Sequence, residues 1–422
     1  MFSQELTGKG VVVAIGNFRY SGGFRFSETV CKEYRGDYPA GYDLSPGDIL
    51  LVMTCQTAGG EILGIPAKVP SDGRLYLHNQ RIGKVVLTSD DVREDFLYWL
   101  FLSPDFNRSL VSTASGTKIL HTSPSRICDY RFLLPAPEIQ REAARTLDAL
   151  QDRIDLLRQT NATFESIAQA LFKSWFIDFD PVRAKAEGRE PAGMDATTAA
   201  LFPAEFEESS LGLIPKGWRV LPFLDACDLA GGAQPPASTF VDEPREGYIR
   251  LLQIRDFSSD AHLTFVPDSK KLKRAGEDDV FIGRYGSASG DKTKDSLGRV
   301  CRGLTGAYNV ALMKLVPKEV GREFAAQMVD APSFYSYLQG VSSKAVQSGF
   351  SKSELGNLAV VVPPKPLSNV YEATGLAVWR RIKANREHSR SLEALRDSLL
   401  PRLISGTLRL PEAQAQLEEA IA

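Results

Sequence analysis

Two stretches of the chain carry heptad stripes long enough to decide their structure. After Pro135 and Pro137, apolar residues stand at Ala143, Leu147, Leu150, Ile154, Leu157, Phe164, Ala168, Leu171 and Trp175, in steps that alternate four and three. Asn161 fills the one polar slot of this stripe. About four heptads of this kind predict a coiled coil, since the stripe outlasts that of most helices lying on a globular core. An Asn on such a seam fixes register and partner at some cost in stability. A weaker stripe follows Pro366 through Val378, Ile382, Leu392, Leu395, Leu399 and Leu403. With two such stripes in one chain, the simplest burial sets each against the other. Elsewhere the pattern is of short, turn-punctuated strands with β-branched residues and Gly, Ser or Asp borders. Residues 47–53 and 84–87 read this way in one region, and residues 248–254, 278–283 and 309–316 in another. Each region also carries one helical piece, residues 91–103 and 320–330.

These regions are copies of each other. Phe96 falls on Phe324, Pro104 on Pro332, Phe106 on Phe334, Leu110 on Leu338, Pro135 on Pro363, Glu165 on Glu393 and Leu171 on Leu399, all at an offset of 228 residues. An unbroken offset from residue 96 to 176 argues for tandem duplication, which must be recognised before any architecture is assigned. The order is β-rich module, helix, β-rich module, helix. The segments are 1–134 for the first module, 135–178 for the central helix, 179–215 for a linker, 216–364 for the second module, 365–408 for the distal helix and 409–422 for a tail. The stretch 179–215 is rich in Ala, Pro, Gly and acid and reads as exposed. One asymmetry stands out. The second module begins near Trp218, so the first lacks a counterpart of residues 216–247; either it has diverged or the chain starts downstream of a natural start.

Composition narrows the class without naming it. The 422 residues carry 50 Lys and Arg against 52 Asp and Glu, with 43% hydrophobic and 24% charged residues, the balance of a soluble protein with sizeable cores. No apolar run is long enough to cross a bilayer, no secretory leader is visible, and the cytoplasm is the expected compartment. Five scattered cysteines argue against a disulfide framework or a zinc site, and none of the four histidines pairs at metal-ligand spacing. There is no P-loop, no Gly-rich cofactor loop after a strand and no Asn/Asp-Pro-Pro-aromatic motif for adenine methylation. The chain therefore reads as non-catalytic, binding neither metal nor cofactor. Net charge near −2 means that any nucleic-acid contact must rest on local features.

Several segments resemble type I restriction–modification specificity subunits: ALFKSWFIDFDPVRAKAEG at 170–188, GMDATTAALFP at 193–203, GLIPKGW at 212–218, LRDSLLPRLISGTLRL at 395–410, GAYNVALMKL at 306–315 and LLPAPEIQ at 133–140. The resemblance covers nearly the whole chain and departs from the family only at the short N-terminus. It implies an α+β protein in which two α/β target-recognition domains with short twisted sheets are separated by a long antiparallel two-helix coiled coil, related by a pseudo-two-fold axis. It implies that each domain reads one half of a split DNA target. The chain then places two adenine-N6 methyltransferase subunits on double-stranded DNA, and restriction subunits join where the system has them. S-adenosylmethionine belongs to the methyltransferase partner, and ATP and Mg to the restriction partner. A helix rises about 1.5 Å per residue, so the stem would be a ruler of roughly 60 Å that sets the unread spacer. The rival reading is a coiled-coil adaptor that binds protein and no DNA.

DNA contact needs donors on approachable backbone, because phosphates set position and base edges set specificity. Residues 284–302 follow a strand and set basic residues among Gly and Ser. There Arg284 and Arg302 suit bidentate contact with guanine, Lys292 and Lys294 suit phosphate, and Tyr285 and Ser287 offer stacking or hydroxyl contacts. The equivalent loop of the first module is short and neutral, with Gln56 as the candidate adenine reader beside Thr57. A second loop pair, 112–118 and 341–349, offers Ser115, Thr117, Lys118, Lys344 and Gln347. Gln80 and Arg81 line the same expected surface. For each loop the alternative is ordinary turn chemistry or a solvated surface charge. Phe172, Trp175 and Phe176, with their repeat-equivalents Leu400 and Ile404, exceed what one facing helix covers. They are expected to form two exposed apolar patches that each receive one methyltransferase subunit; the alternative is burial under the linker.

Overall fold

The computed structural model describes residues 2–3, 10–26, 31–257, 263–286, 295–342 and 349–407. They form two compact units, Met1–Arg158 with Glu387–Ala422, and Gln159–Arg386. Neither unit is a linear segment. Each takes one half of each of two 40-residue helices, Pro137–Phe176 and Lys365–Ile404.

Within the first unit the helix halves run antiparallel: Arg396 donates to Gln151 at 2.6 Å and Arg158 to Glu393 at 2.9 Å, so one helix advances as the other retreats. The same sense holds in the second unit, where Asn385 donates to Asn161 at 2.9 Å and the Tyr371 ring packs on Phe176 at 4.9 Å. The first helix buries the seam that the heptad stripe predicts, from Ala143, Leu147, Leu150, Ile154 and Leu157 through Asn161. The second helix has the weaker stripe because three of its seam positions are polar. Asn385, Ser389 and Arg396 are buried alongside Ile382, Leu392, Leu399 and Leu403.

The first module places Phe2–Ser3, Lys32–Tyr34, Val11–Val12, Tyr76–Leu77 and Asp43–Leu44 side by side, with one parallel pair, Val11–Val12 against Tyr76–Leu77. A second, antiparallel sheet sets Ile49–Val52 between Pro66–Lys68 and Ile82–Lys84. The four residues Ile49–Val52 are all buried, which explains a continuous apolar run instead of alternation. The second module repeats this plan. Phe265–Pro267, Tyr248–Leu252, Gly306–Tyr308 and Arg274–Ala275 form one sheet with the same single parallel pair, and in the other Val280–Gly283 lies between Val300–Arg302 and Leu312–Pro317. Duplicated residues keep duplicated roles. Phe96 and Phe324, Phe106 and Phe334, and Leu110 and Leu338 are all buried. Lys84 pairs with Asp48 at 2.7 Å, as Lys314 pairs with Asp279 at 3.2 Å.

The helical pieces are found as Glu94–Phe101 and Arg322–Asp330, each followed by a second helix, Pro104–Thr113 or Pro332–Ser342, that the strand-and-turn reading did not separate. Both begin with Pro at the first helical position, where a missing N–H costs nothing. Polar side chains on the long helices anchor each module. Gln140 accepts from Arg93 N at 2.9 Å and donates to Asp91 and Pro135 carbonyls at 2.9 and 2.8 Å. Glu372 accepts from Arg322 N and Glu323 N at 3.0 and 2.8 Å, capping the helix that starts there.

Residues 179–215 are not a bare exposed linker. They fold into helices Asp180–Ala186 and Ala196–Ala200 and a hairpin of Phe206–Ser209 with Gly212–Pro215. Phe179, Val182, Phe202 and Ile214 are buried in the core of the second unit. A few well-spaced aromatic and aliphatic residues were enough to fold a stretch whose average composition is that of a loop.

Candidate nucleic-acid interface

In the first unit the strand Ile49–Val52 runs on into Thr54–Cys55, which pairs antiparallel with Leu120–His121. That register puts the loop leaving Cys55 and the loop entering Leu120 at one end of a single ladder. Gln56 and Thr57 therefore come together with Ser115, Thr117 and Lys118, and all five are exposed. Helix Pro104–Thr113 holds the first loop from beneath, as Asn107 donates to the carbonyls of Gly60 and Leu63 at 3.1 and 2.8 Å. The second loop turns through Gly116 at φ +106°, where a Cβ would lie 1.9 Å from the Ile119 carbonyl oxygen. Thr57 donates its hydroxyl to Glu61, and Ser115 is tied to the His121 backbone at 2.9 and 3.0 Å.

Gln80 and Arg81 sit on an exposed turn beside this ladder. Met53 N donates to Arg81 O at 2.9 Å, and Thr122 N to Met53 O at 3.0 Å. Asn79 serves the turn itself, accepting from Arg81 N at 3.1 Å. The turn lines a cleft of about 610 Å³ shared with Lys32, Tyr38, Tyr42 and His78. None of these four was singled out from the sequence. The run of tyrosines between residues 34 and 42 was the available signal. In the second unit the equivalent connection, between Phe265–Pro267 and Arg274–Ala275, carries exposed Lys270, Lys271 and Lys273. Here the KKLKR run at 270–274 was the missed sign.

The second unit reproduces the ladder as a bridge between Tyr285 and Gly349. Ser287, Lys292, Lys294, Lys344 and Gln347 lie outside the described residues. Arg284 is half-buried at the root of the loop, with Nε donating to Phe350 O at 3.0 Å and the guanidinium 5.1 Å from the Tyr285 ring centre. Arg302 is not a loop donor. It lies in strand Val300–Arg302, its side chain 11% exposed, and makes two bonds of 2.7 and 2.8 Å to Glu323. Its guanidinium stacks 4.0 Å above Trp379, whose indole N–H donates to Asp278 at 2.9 Å. That hydrogen bond holds the Asp278 carboxyl below its ordinary pKa. A guanidinium committed on both its edge and its face cannot also grip guanine.

The expected exposed apolar patches are likewise not present. Phe172, Trp175 and Phe176 are buried among Phe324, Tyr371, Phe202 and Trp218, with ring centres 4.9–6.0 Å apart. Leu400 and Ile404 are buried in the core of the first unit. Aromatic side chains lying off the heptad seam face the module core instead of solvent, so a partner cannot reach them in the folded chain.

Among the described residues no group of three His, Cys, Asp or Glu side chains converges to hold a metal, and no helix is long and apolar enough to cross a membrane.

No family model matches the chain. It is similar to the type I restriction enzyme HindI specificity subunit of Haemophilus influenzae, 25% identical over 403 aligned positions that cover 80% of this chain and 84% of that one. It is also similar to the type I restriction enzyme MjaIX specificity subunit of Methanocaldococcus jannaschii, 23% identical over 345 positions covering 78% and 72%. In fold it resembles the crystal structure of the type I restriction–modification system S subunit from M. genitalium. The TM-score is 0.50 at 14% identity, with 94% of this chain and 92% of that one covered.

Proposed function

We infer that this chain, as a relative of the type I restriction enzyme specificity subunits, provides the DNA sequence specificity of a type I restriction–modification complex. The observation that carries the reading is the duplication. Two modules of one topology each carry the same ladder, at whose end the first gathers exposed polar loops, and the sequences that continue from the ladder differ between the modules. Like scaffolds with unlike loops are what reading two dissimilar half-sites requires.

In this reading Gln56, Gln80, Arg81 and Lys118 serve the first half-site. Gln suits adenine, and Arg suits guanine, through bidentate hydrogen bonds in the major groove. Arg284, Tyr285 and the basic loop they open, with Lys292 and Lys294, serve the second. The chain carries out no chemistry. Two adenine-N6 methyltransferase subunits bring S-adenosylmethionine, and restriction subunits, where the system has them, bring ATP and Mg. The near-zero net charge fits a chain that grips phosphate weakly alone and gains affinity inside the complex. Reconstitution tests this directly. With the chain present, the complex binds and methylates duplexes of defined sequence with a steep inverse dependence on salt. A chain that joins the complex but leaves binding independent of DNA sequence is an adaptor, and the reading fails.

A further inference from the structure

One connection is kept by both modules and changes its chemistry between them. It is residues 35–42 in the first, between Lys32–Tyr34 and Asp43–Leu44, and residues 268–273 in the second, between Phe265–Pro267 and Arg274–Ala275. The register shows that the two are equivalent. Asp43 faces Leu77 as Arg274 faces Ala307, and His78 N donates to Tyr42 O at 2.8 Å as Tyr308 N donates to Lys273 O at 3.2 Å. The first connection sets Arg35 against Asp37 and adds Tyr38 and Tyr42, and Arg35 lies 4.0 Å from the Glu33 carboxylate. The second sets Lys270, Lys271 and Lys273 against Asp268, whose carboxylate is already taken by Arg274 at 2.5 Å.

The lysines are held on a fixed support. Leu272 N donates to Ser269 O at 3.2 Å, closing a tight turn with Lys270 and Lys271 at its tip. The Leu272 side chain packs on the small core of Leu251, Val266 and Ala307. All three lysines are exposed, and none makes an ion pair among the described residues.

Their place in the fold ties them to Arg284. Tyr308, bonded to Lys273 O, leads into the turn at 309–311, where Asn309 accepts from Ala311 N at 3.1 Å, as Asn79 accepts from Arg81 N. Ala311 O in turn accepts from Arg284 N at 2.9 Å, as Arg81 O accepts from Met53 N. Lys273 and Arg284 therefore flank one short turn. On that turn Val310 and Ala311 stand where the first module has Gln80 and Arg81, and their side chains carry no hydrogen-bonding group.

We propose that the connection 268–273 is a phosphate grip, so that the second module supplies sequence-independent hold on the duplex through Lys270, Lys271 and Lys273, with nothing matching it at this place in the first. This rests on the DNA-reading function inferred above. A lysine ammonium is a compact point charge that meets phosphate from many directions, and phosphate contacts position a protein without reading sequence. The first module puts exposed amide and guanidinium groups at the adjoining turn instead, where base edges can be read.

The reconstituted complex is titrated over a range of salt with two fluorescent duplexes, one carrying the motif it methylates and one with that motif scrambled. Replacing Lys270, Lys271 and Lys273 together by Ala should weaken binding to both duplexes by the same factor, about tenfold or more, and flatten the slope of log affinity against log salt by roughly 2–3. The methylated motif stays the same. The triple Lys→Arg variant, which keeps the charges, restores the slope, and all three chains unfold at the same midpoint because the positions are exposed. A native complex that prefers its motif while the Ala variant keeps affinity and slope overturns the grip and leaves the DNA-reading function standing. A native complex without preference removes both. Loss confined to the motif duplex would make the lysines base readers, and loss of assembly with DNA binding unaltered would make them a protein contact; either result overturns the proposal.

Discussion

Arg302 and Arg81 are both arginines near a predicted DNA surface, and they have opposite fates. Arg302 shares two hydrogen bonds with a Glu323 that is itself buried. Arg302→Ala strands that carboxylate, and the expected loss is about 3–5 kcal/mol of stability in the second unit, read from thermal or denaturant unfolding. Phe176→Ala, which empties the centre of an aromatic cluster, should cost a similar ~3–5 kcal/mol. Gln80→Ala and Arg81→Ala, on an exposed turn, should leave stability within about 0.5 kcal/mol. In the assembled complex each should instead cost roughly 1–3 kcal/mol of discrimination at one base pair, measured by competition between duplexes. The sequence alone cannot separate these cases. That Arg302 meets Glu323 depends on the strand register Val280 to Arg302 and on where the following helix docks. An exposed loop position was legible where the ladder ends in the loop, as at Gln56 and Lys118. It was illegible where a basic residue sat inside a strand too short to show alternation.

At the level of elements, the long helices were readable because a heptad seam is a local pattern, and the first helix buries it through Asn161. The second helix was harder, since polar residues occupy its seam. Two of them are matched across the interface, Asn385 with Asn161 and Arg396 with Gln151. Asn161 bonds to Asn385 at 2.9 Å and to the Ile382 carbonyl at 3.3 Å. Asn161→Ala or Asn385→Ala alone leaves a buried amide unsatisfied and should cost about 1–3 kcal/mol. The double replacement should cost less than the sum, a coupling that a double-mutant cycle reads. Additive losses would mean that the two amides do not act as a pair. Strand Cys227–Gly231 of the second module gives a pH prediction. The Asp228 carboxyl is held below its ordinary pKa, first by the hydrogen bond from Lys352 and, more weakly, by Lys318. A lowered carboxylate pKa contributes stability above the unfolded value near 4 and loses it as pH falls through the folded one. Melting temperatures of the native chain and Asp228→Asn should therefore differ at neutral pH and converge in acid.

For the whole molecule, the duplication was the most informative feature of the sequence, and it survives as duplicated topology down to the ion pairs Lys84–Asp48 and Lys314–Asp279. What the offset did not reveal is how the chain is shared out. Each compact unit borrows half of both long helices, and residues 179–215 belong to the core of the second. Sequence periodicity locates helices, but the division into units follows from which ends meet. In the proposed function one chain carries two unlike readers, one per module. Mapping adenine methylation across the genome of cells carrying the complex tests it most directly, with the native chain and with Gln80→Ala/Arg81→Ala. The expected result is a split motif of two dissimilar halves, with the substitutions relaxing one half and leaving the other intact. A single undivided motif, or substitutions in the first module that alter both halves alike, would contradict it.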